Sequence, residues 1–171
     1  LHDDASSKDA SAVTRDYVFD MDGTPPILSV YGGKITTYRK LAEHALEKLG
    51  EAIGARGGAW TAKAPLPGGD IENADFVAFY EGLARDFPWF QPAALHRLAR
   101  AYGTRIGRLI GDARSLADMG EDFGAGLTDR EIDYLKREEF AETADDVLWR
   151  RSKLELHLAQ AAKERLATRF S

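Results

Sequence analysis

The sequence predicts a mainly α-helical protein, in which a short β-hairpin and one helix precede a bundle of further helices. Three observations lead to this prediction. Two short β-prone runs flank a turn rich in glycine and proline near the N-terminus. The next segment carries apolar residues at helical spacing. After a glycine- and proline-rich boundary at 57–69, the remaining apolar patterns all have helical spacing, which predicts a helical domain.

Length and composition restrict the classes of function. The chain has 171 residues, enough for one domain with an appendage and for a real core. Its formal net charge of -5 argues against a nucleic-acid-binding surface, which normally has a basic face. Cysteine is absent, so disulfides and thiolate metal sites are excluded. No apolar run approaches the ~20 residues of a membrane-spanning helix, so any membrane contact is expected to be peripheral.

The N-terminal segment indicates a piece of a longer protein. It reads LHDDASSKDASAV, a polar run without an initiator methionine. Such a run stays poorly ordered unless neighbouring structure holds it. We therefore expect a fragment in two parts. Residues 1–57 would contain the hairpin, a glycine loop and one helix, and residues 58–171 would form the helical domain.

The first part is organised around Ile27–Leu49, where an apolar strand runs into two glycines, a lysine, two threonines and a helix. Glycine lets a backbone turn sharply and approach another group closely. The first turn of a helix has unpaired N–H groups at the positive end of its dipole, and Lys34 adds a full charge. This combination suits an anion or an electron-rich carbonyl oxygen. A purely structural glycine turn accounts for the same residues.

Capping residues predict the helix boundaries of the second part. Asn73 is expected to cap the first helix there. Pro92 suits the first position of the next helix, and Gly103 suits its C-terminal end. Thr128 followed by Glu131 matches a capping box, in which each side chain bonds the backbone of the other residue.

A phosphatase-like motif lies in the predicted hairpin. Asp20–Thr24 reads DMDGT, the pattern of haloacid-dehalogenase-like phosphatases, where the first aspartate attacks phosphorus and the second acts as acid and base beside Mg²⁺. That chemistry needs Asp20 at the end of a central strand in a parallel sheet. The sequence offers no later strands to build such a sheet, so a turn is the competing interpretation of Asp20 and Asp22.

Three stretches carry a family resemblance. They are TRDYVFD at Thr14–Asp20, LSVYGGKITTYRKLAEHALEKL at Leu28–Leu49, and DMGEDF at Asp118–Phe123 followed by ADDVLWRRSK at Ala144–Lys153. In this order they resemble the C-terminal portion of aerobic, FAD-dependent glycerol-3-phosphate dehydrogenases. The resemblance extends over nearly the whole chain.

The resemblance implies an activity for the intact parent protein. The parent would oxidise sn-glycerol 3-phosphate to dihydroxyacetone phosphate, pass hydride to FAD and deliver electrons to a quinone. Arg15 would contact the substrate, while Gly33, Lys34 and Thr37 would face the N1/O2 edge of the flavin. The catalytic base is expected upstream of this chain, and no histidine pair has the spacing of metal ligands.

The resemblance also implies partners and a location. The helical domain would pack against the FAD and substrate domains of the same polypeptide, with a homodimer or a membrane-surface contact as further roles. The parent would be cytoplasmic, on the inner face of the cytoplasmic membrane. FAD is not expected to stay bound to this chain alone, because the glycine fingerprint of a dinucleotide site is missing from it. A free-standing helical interaction module is the alternative.

Overall fold

The computed structural model describes residues 16–54 and 56–170, and the chain divides after Ala64 into two units. We call Leu1–Ala64 the hairpin unit and Pro65–Ser171 the helical unit. Helices predominate among the described residues, and the strands there form two small antiparallel pairs. The predicted fold class, mainly α with an N-terminal hairpin and helix, is confirmed.

The hairpin unit contains one antiparallel strand pair and one long helix. Strand β1, Tyr17–Asp22, pairs with strand β2, Ile27–Gly32. A single 3-10 turn, Ile35–Thr37, then leads into helix α1, Tyr38–Ile53. The helix ends at Gly54 in the left-handed conformation (φ 64°), which costs glycine little because it has no Cβ.

The described residues of this unit do not form a buried core. None of the residues in β1, β2 or α1 is buried. The rings of Tyr17 and Phe19 pack against the imidazole of His44 at 5.9 and 5.0 Å between centroids. Many large apolar side chains remain exposed, among them Ile27, Tyr31, Ile35, Tyr38, Leu46 and Ile53. A two-stranded hairpin with so little buried surface is marginal by itself in water.

The helical unit is built on five α-helices. These are α2 (Phe76–Asp86), α3 (Pro92–Tyr102), α4 (Ile106–Ile110), α5 (Asp129–Glu139) and α6 (Gln160–Ala167). Consecutive helices from α2 to α5 pack against one another. Their apolar faces close a core whose most deeply buried members include Leu98, Ile110, Met119, Leu127, Leu135, Val147 and Leu166. Such apolar burial is the main force holding this unit together.

Local capping signals were right at α3 and wrong at α2. Helix α3 begins at Pro92 and is followed by Gly103 at φ 52°, as predicted. Asn73, in contrast, lies in a separate 3-10 turn. The cap of α2 is Asp75, whose Oδ1 accepts a hydrogen bond of 3.0 Å from the N–H of Ala78. A carboxylate directly before the helix satisfies the third N–H of the first turn, so Asp75 takes the role expected of Asn73.

Two irregular elements departed from the purely helical expectation. Strands β3, Asp122–Gly124, and β4, Leu127–Thr128, form a short antiparallel pair before α5. Strands of three and two residues are too short to show an alternating pattern. Asp146–Arg151 forms a π-helix, which is stabilised by an Arg150–Asp146 ion pair of 2.9 Å.

Candidate functional site

The glycines between β2 and α1 form a loop that few other residues could adopt. Gly32 and Gly33 have φ values of 78° and 99°. A Cβ on Gly32 would lie 2.7 Å from the carbonyl oxygen of Asp16, which is closer than real Cβ atoms approach. A Cβ on Gly33 would lie 3.2 Å from Leu41 Cδ1. Conformation and space together therefore favour glycine at both positions.

The residues that follow present one cation and the start of a helix. The Thr37 N–H and hydroxyl both donate to the carbonyl oxygen of Lys34, each at 2.9 Å, and close the turn. The Lys34 side chain is exposed and makes no ion pair or hydrogen bond with any described residue. The first amides of the turn have no carbonyl one turn earlier to bond. Gly33, Lys34 and Thr37 thus share one short loop, which we call the glycine-lysine loop (32–37), and their contact with a cofactor stays a prediction.

The predicted substrate residue cannot be placed in this geometry. Arg15 lies outside the described residues, which begin at Asp16. Its role in substrate binding therefore also stays a prediction.

The structure argues against the phosphatase interpretation of the DMDGT motif. Asp20 and Asp22 lie on the antiparallel hairpin, opposite Ser29 and Ile27. Asp22 Oδ1 accepts a hydrogen bond of 2.7 Å from the N–H of Gly23, as is common in turns. Among residues 16–54 and 56–170 there is no parallel sheet and no group of three His, Cys, Asp or Glu side chains that could hold a metal ion. The turn interpretation of Asp20 and Asp22 is therefore favoured over the phosphatase alternative, because the described residues form no sheet that would position the nucleophile.

The helical unit holds a buried polar cluster that the sequence did not reveal. The Glu131 side chain is fully buried, and its two oxygens accept hydrogen bonds of 2.7 and 2.6 Å from the Arg97 guanidinium. The Tyr102 hydroxyl donates to the same carboxylate at 2.6 Å. Arg97 also donates to the carbonyl oxygen of Gly126 at 2.9 Å. Because Arg97 and Glu131 are 34 residues apart, no local spacing could have predicted their pairing.

This cluster overrides the predicted capping box. Thr128 makes no side-chain cap at the start of α5, and Glu131 turns inward to Arg97. Burial opposes the charge on Arg97, but the hydrogen bonds and charge of Glu131 outweigh burial and raise the pKa of the guanidinium. Burial, together with the charge of Glu131, raises the pKa of Tyr102. With its oxygens occupied by these donors, the Glu131 carboxylate joins α3 to α5 and is not placed to act as a base.

The DMGEDF stretch also has a structural role. The Glu121 carboxylate accepts hydrogen bonds from Arg165 at 2.7 Å and from Arg169 at 3.2 Å. Its backbone N–H donates to Asp129 at 2.7 Å. The stretch therefore connects the start of α5 to the C-terminal helix. Within the part of the chain that the structure describes, no helix is long and apolar enough to cross a bilayer.

Comparison with known proteins places the chain in a family. A family model of the C-terminal domain of alpha-glycerophosphate oxidase matches residues 59–169, which is most of the helical unit. The chain belongs to this family. The resemblance noted from the sequence motifs is thereby confirmed.

Curated relatives extend the match further into the hairpin unit. A glycerol-3-phosphate dehydrogenase of Pseudomonas aeruginosa is 49% identical over 95% of this chain and 32% of its own length. A D-erythritol 1-phosphate dehydrogenase of Brucella abortus is 44% identical over 95% of this chain and 33% of its own length. The aerobic glycerol-3-phosphate dehydrogenase of Escherichia coli is 45% identical over 88% of this chain and 30% of its own length. The chain thus spans about a third of these relatives.

Proposed function

We propose that this chain is the C-terminal part of a flavin-dependent dehydrogenase that oxidises sn-glycerol 3-phosphate to dihydroxyacetone phosphate. The glycine-lysine loop carries the proposal, because it combines an unpaired cation with the first turn of a helix on a tightly turned backbone. Gly33, Lys34 and Thr37 are assigned to the cofactor, and Arg15 is assigned to the substrate. The remaining domains of the polypeptide would complete the site.

The donors in the loop fit the electron-rich edge of a flavin ring. Bound FAD would accept the hydride that the substrate carbinol loses. Negative charge would then build at the N1/O2 edge of the ring, where the Lys34 ammonium and the backbone N–H groups would stabilise it. Thr37 would hold the carbonyl of Lys34 in the turn, so that these donors keep one orientation. The glycines would let the backbone approach the ring without a side chain between them.

The hairpin unit supports the idea of a larger domain. Its strands and its helix contain no buried residue, although they carry many large apolar side chains. Such surfaces are normally covered by other elements. The relatives are about three times as long as this chain, so protein that could cover these surfaces is present in them. We assign the hairpin unit to the edge of the flavin and substrate domain.

Two polyol phosphates compete as substrate. Relatives of nearly equal similarity are named glycerol-3-phosphate dehydrogenase and D-erythritol 1-phosphate dehydrogenase. Both substrates are phosphate monoesters of polyols, and both would suit a cationic pocket that includes Arg15. We favour glycerol 3-phosphate because several of the relatives carry that name. A quinone acceptor at the cytoplasmic membrane surface is part of the same proposal.

Purification of the protein from its complete gene tests the proposal. We expect a yellow protein that reduces a soluble quinone with glycerol 3-phosphate and more slowly with D-erythritol 1-phosphate. The 171-residue chain alone should be colourless and inactive. A complete protein that carries no flavin would overturn the proposal. Faster turnover of D-erythritol 1-phosphate would show that this ester is the preferred substrate, and the proposed class of reaction would stand.

A further inference from the structure

A closed polar cluster lies beside the glycine-lysine loop in the hairpin unit. Glu43 Oε1 accepts hydrogen bonds from the N–H of Thr61 at 2.9 Å and from its hydroxyl at 2.5 Å. Glu43 Oε2 pairs with the Arg39 guanidinium at 2.9 Å. Arg39 also donates to the Thr61 hydroxyl at 3.3 Å, which closes the triangle. We call these three residues the Glu43 clamp.

The clamp joins two segments that are far apart in sequence. Thr61 lies 18 residues after Glu43, beyond the C-terminal Gly54 of α1 and the glycines at 57 and 58. The Arg39–Glu43 pair alone would be an ordinary contact between successive turns of a helix. The added hydroxyl and N–H of Thr61 make it a tertiary contact. The Glu43 side chain is 18% exposed in a unit whose strands and helix have no buried residue.

The clamp acts on the first turn of α1. Arg39 is the second residue of that helix and follows Thr37 by two positions. Thr37 in turn bonds the carbonyl of Lys34 through its N–H and its hydroxyl. The Glu43 carboxylate also balances the Arg39 charge, while Lys34 in the loop makes no ion pair with any described residue. The same Thr61 hydrogen bonds lower the pKa of Glu43, which keeps the carboxylate charged.

We propose that Glu43 is a positioning residue, which fixes the glycine-lysine loop against the flavin by clamping Arg39 and Thr61. This inference rests on the proposed function, because it assigns the flavin edge to the loop. Glu43 touches neither substrate nor cofactor and would act through the first turn of α1.

Hydrogen exchange of the complete protein, with any flavin removed, tests the clamp without a cofactor. Thr61→Val removes the hydroxyl at constant shape and charge, and Glu43→Gln removes the carboxylate charge. Both should speed exchange of the Thr37 amide, which bonds the Lys34 carbonyl, by about tenfold or more, the change expected when a hydrogen bond to a charged group is lost. Thr61→Ser keeps the hydroxyl and should restore the original rate. Glu47→Gln, an exposed carboxylate on the same helix, is the matched control. Unchanged exchange in Thr61→Val would overturn the proposal.

A second measurement, on the complete flavoprotein, distinguishes a clamp that positions the glycine-lysine loop from a clamp that only stabilises the fold. Thr61→Val changes no charge, so a lower flavin midpoint potential in this variant would report a displaced loop. Thr61→Ser and Glu47→Gln should leave the potential unchanged. If Thr61→Val lowers only the thermal midpoint, the clamp is structural and the positioning role fails. If the complete protein binds no flavin, the proposed function fails along with the positioning role, and the exchange data still decide whether the clamp orders the loop.

Discussion

Arg97 of α3 and Glu131 of α5 form a bidentate ion pair, with N–O distances of 2.7 and 2.6 Å, around a carboxylate that is fully buried. The pair links two helices that are separated in sequence by α4, β3 and β4. Such a pair adds little stability over an apolar replacement, but removal of one partner leaves a charge without compensation. The pair therefore connects α3 to α5 through side chains that depend on each other.

The first prediction concerns this ion pair. Glu131→Ala should lower the free energy of unfolding by about 3 kcal/mol, since the Arg97 charge and the Tyr102 hydroxyl both lose their acceptor. Urea denaturation followed by circular dichroism measures the change. Asp133→Ala, at an exposed position of the same helix, should change it by less than about 0.5 kcal/mol. Equal effects of the two substitutions would contradict the structural role of Glu131.

The two buried tyrosines of the helical unit should respond differently to loss of their hydroxyls. Tyr102→Phe removes the hydrogen bond to Glu131 and should cost about 2 kcal/mol. Tyr134→Phe removes a buried hydroxyl that has no partner among the described residues, and it should be neutral or slightly stabilising. Urea midpoints of the two variants provide the comparison. A larger loss in Tyr134→Phe would show that its hydroxyl has a partner, such as an ordered water.

Replacement of two glycines near α4 by alanine should change the stability of the protein in opposite directions. A Cβ on Gly103 would lie 1.9 Å from the carbonyl oxygen of Gly68, and Gly103 has φ 52°. Gly103→Ala should therefore cost about 2 kcal/mol or more. Gly107 lies within α4 with open space around its Cα, so Gly107→Ala should stabilise by about 0.5 kcal/mol. Thermal unfolding of both variants tests the contrast, and equal shifts of the midpoint would contradict it.

Acid should remove the stabilisation that Asp146 provides. Hydrogen bonds from Thr143 and from the N–H of Glu142, with the charge of Arg150, lower the pKa of Asp146 below its value in the unfolded chain. This contribution is present above the unfolded pKa and is lost as the pH falls through the folded pKa. Asp146→Asn should therefore lower the thermal midpoint at about pH 7, and this effect should shrink as the pH falls below the unfolded pKa and through the folded pKa. Asp145→Asn, an exposed neighbour, is the control. A pH-independent deficit in Asp146→Asn would mean that charge is not the cause.

Lys34 should set the potential of the proposed flavin. In the complete protein, Lys34→Ala should lower the midpoint potential and slow turnover, because a positive charge at the N1/O2 edge stabilises the reduced ring. Spectroelectrochemistry measures the potential. Lys48→Ala, exposed further along α1, should leave it unchanged. An unchanged potential in Lys34→Ala would count against placing this residue at the flavin.

Structural features that depend on only a few neighbouring residues were predicted correctly from the sequence. The turn between β1 and β2, the proline at the start of α3 and the glycine after it depend on φ preferences and on neighbouring backbone groups. Asp75 shows the limit of such signals, since Asn73 was an equally good cap by residue type. Which of these two residues caps the helix depends on the position at which α2 begins.

The glycine-lysine loop could be predicted from the sequence, but the Glu43 clamp beside it could not. Glycines, a lysine and a helix start follow one another along the chain, so their spacing is visible in sequence. Glu43 resembles any other carboxylate on an amphipathic helix. Its role depends on Thr61, which returns to the helix only after the chain has folded back.

By itself, the sequence determined the fold class, the hairpin, the family and the loop proposed to face a cofactor. Each of these depends on local propensity, on helical periodicity or on motifs that are continuous in the chain. Only the tertiary structure decided that Glu131 leaves the expected capping box for Arg97, and that Thr61 returns to Glu43. Burial decided the first, because a buried guanidinium needs a carboxylate more than an exposed N–H group needs a cap. The reversal of the chain after α1 decided the second, because a contact between residues 18 positions apart leaves no local pattern in the sequence.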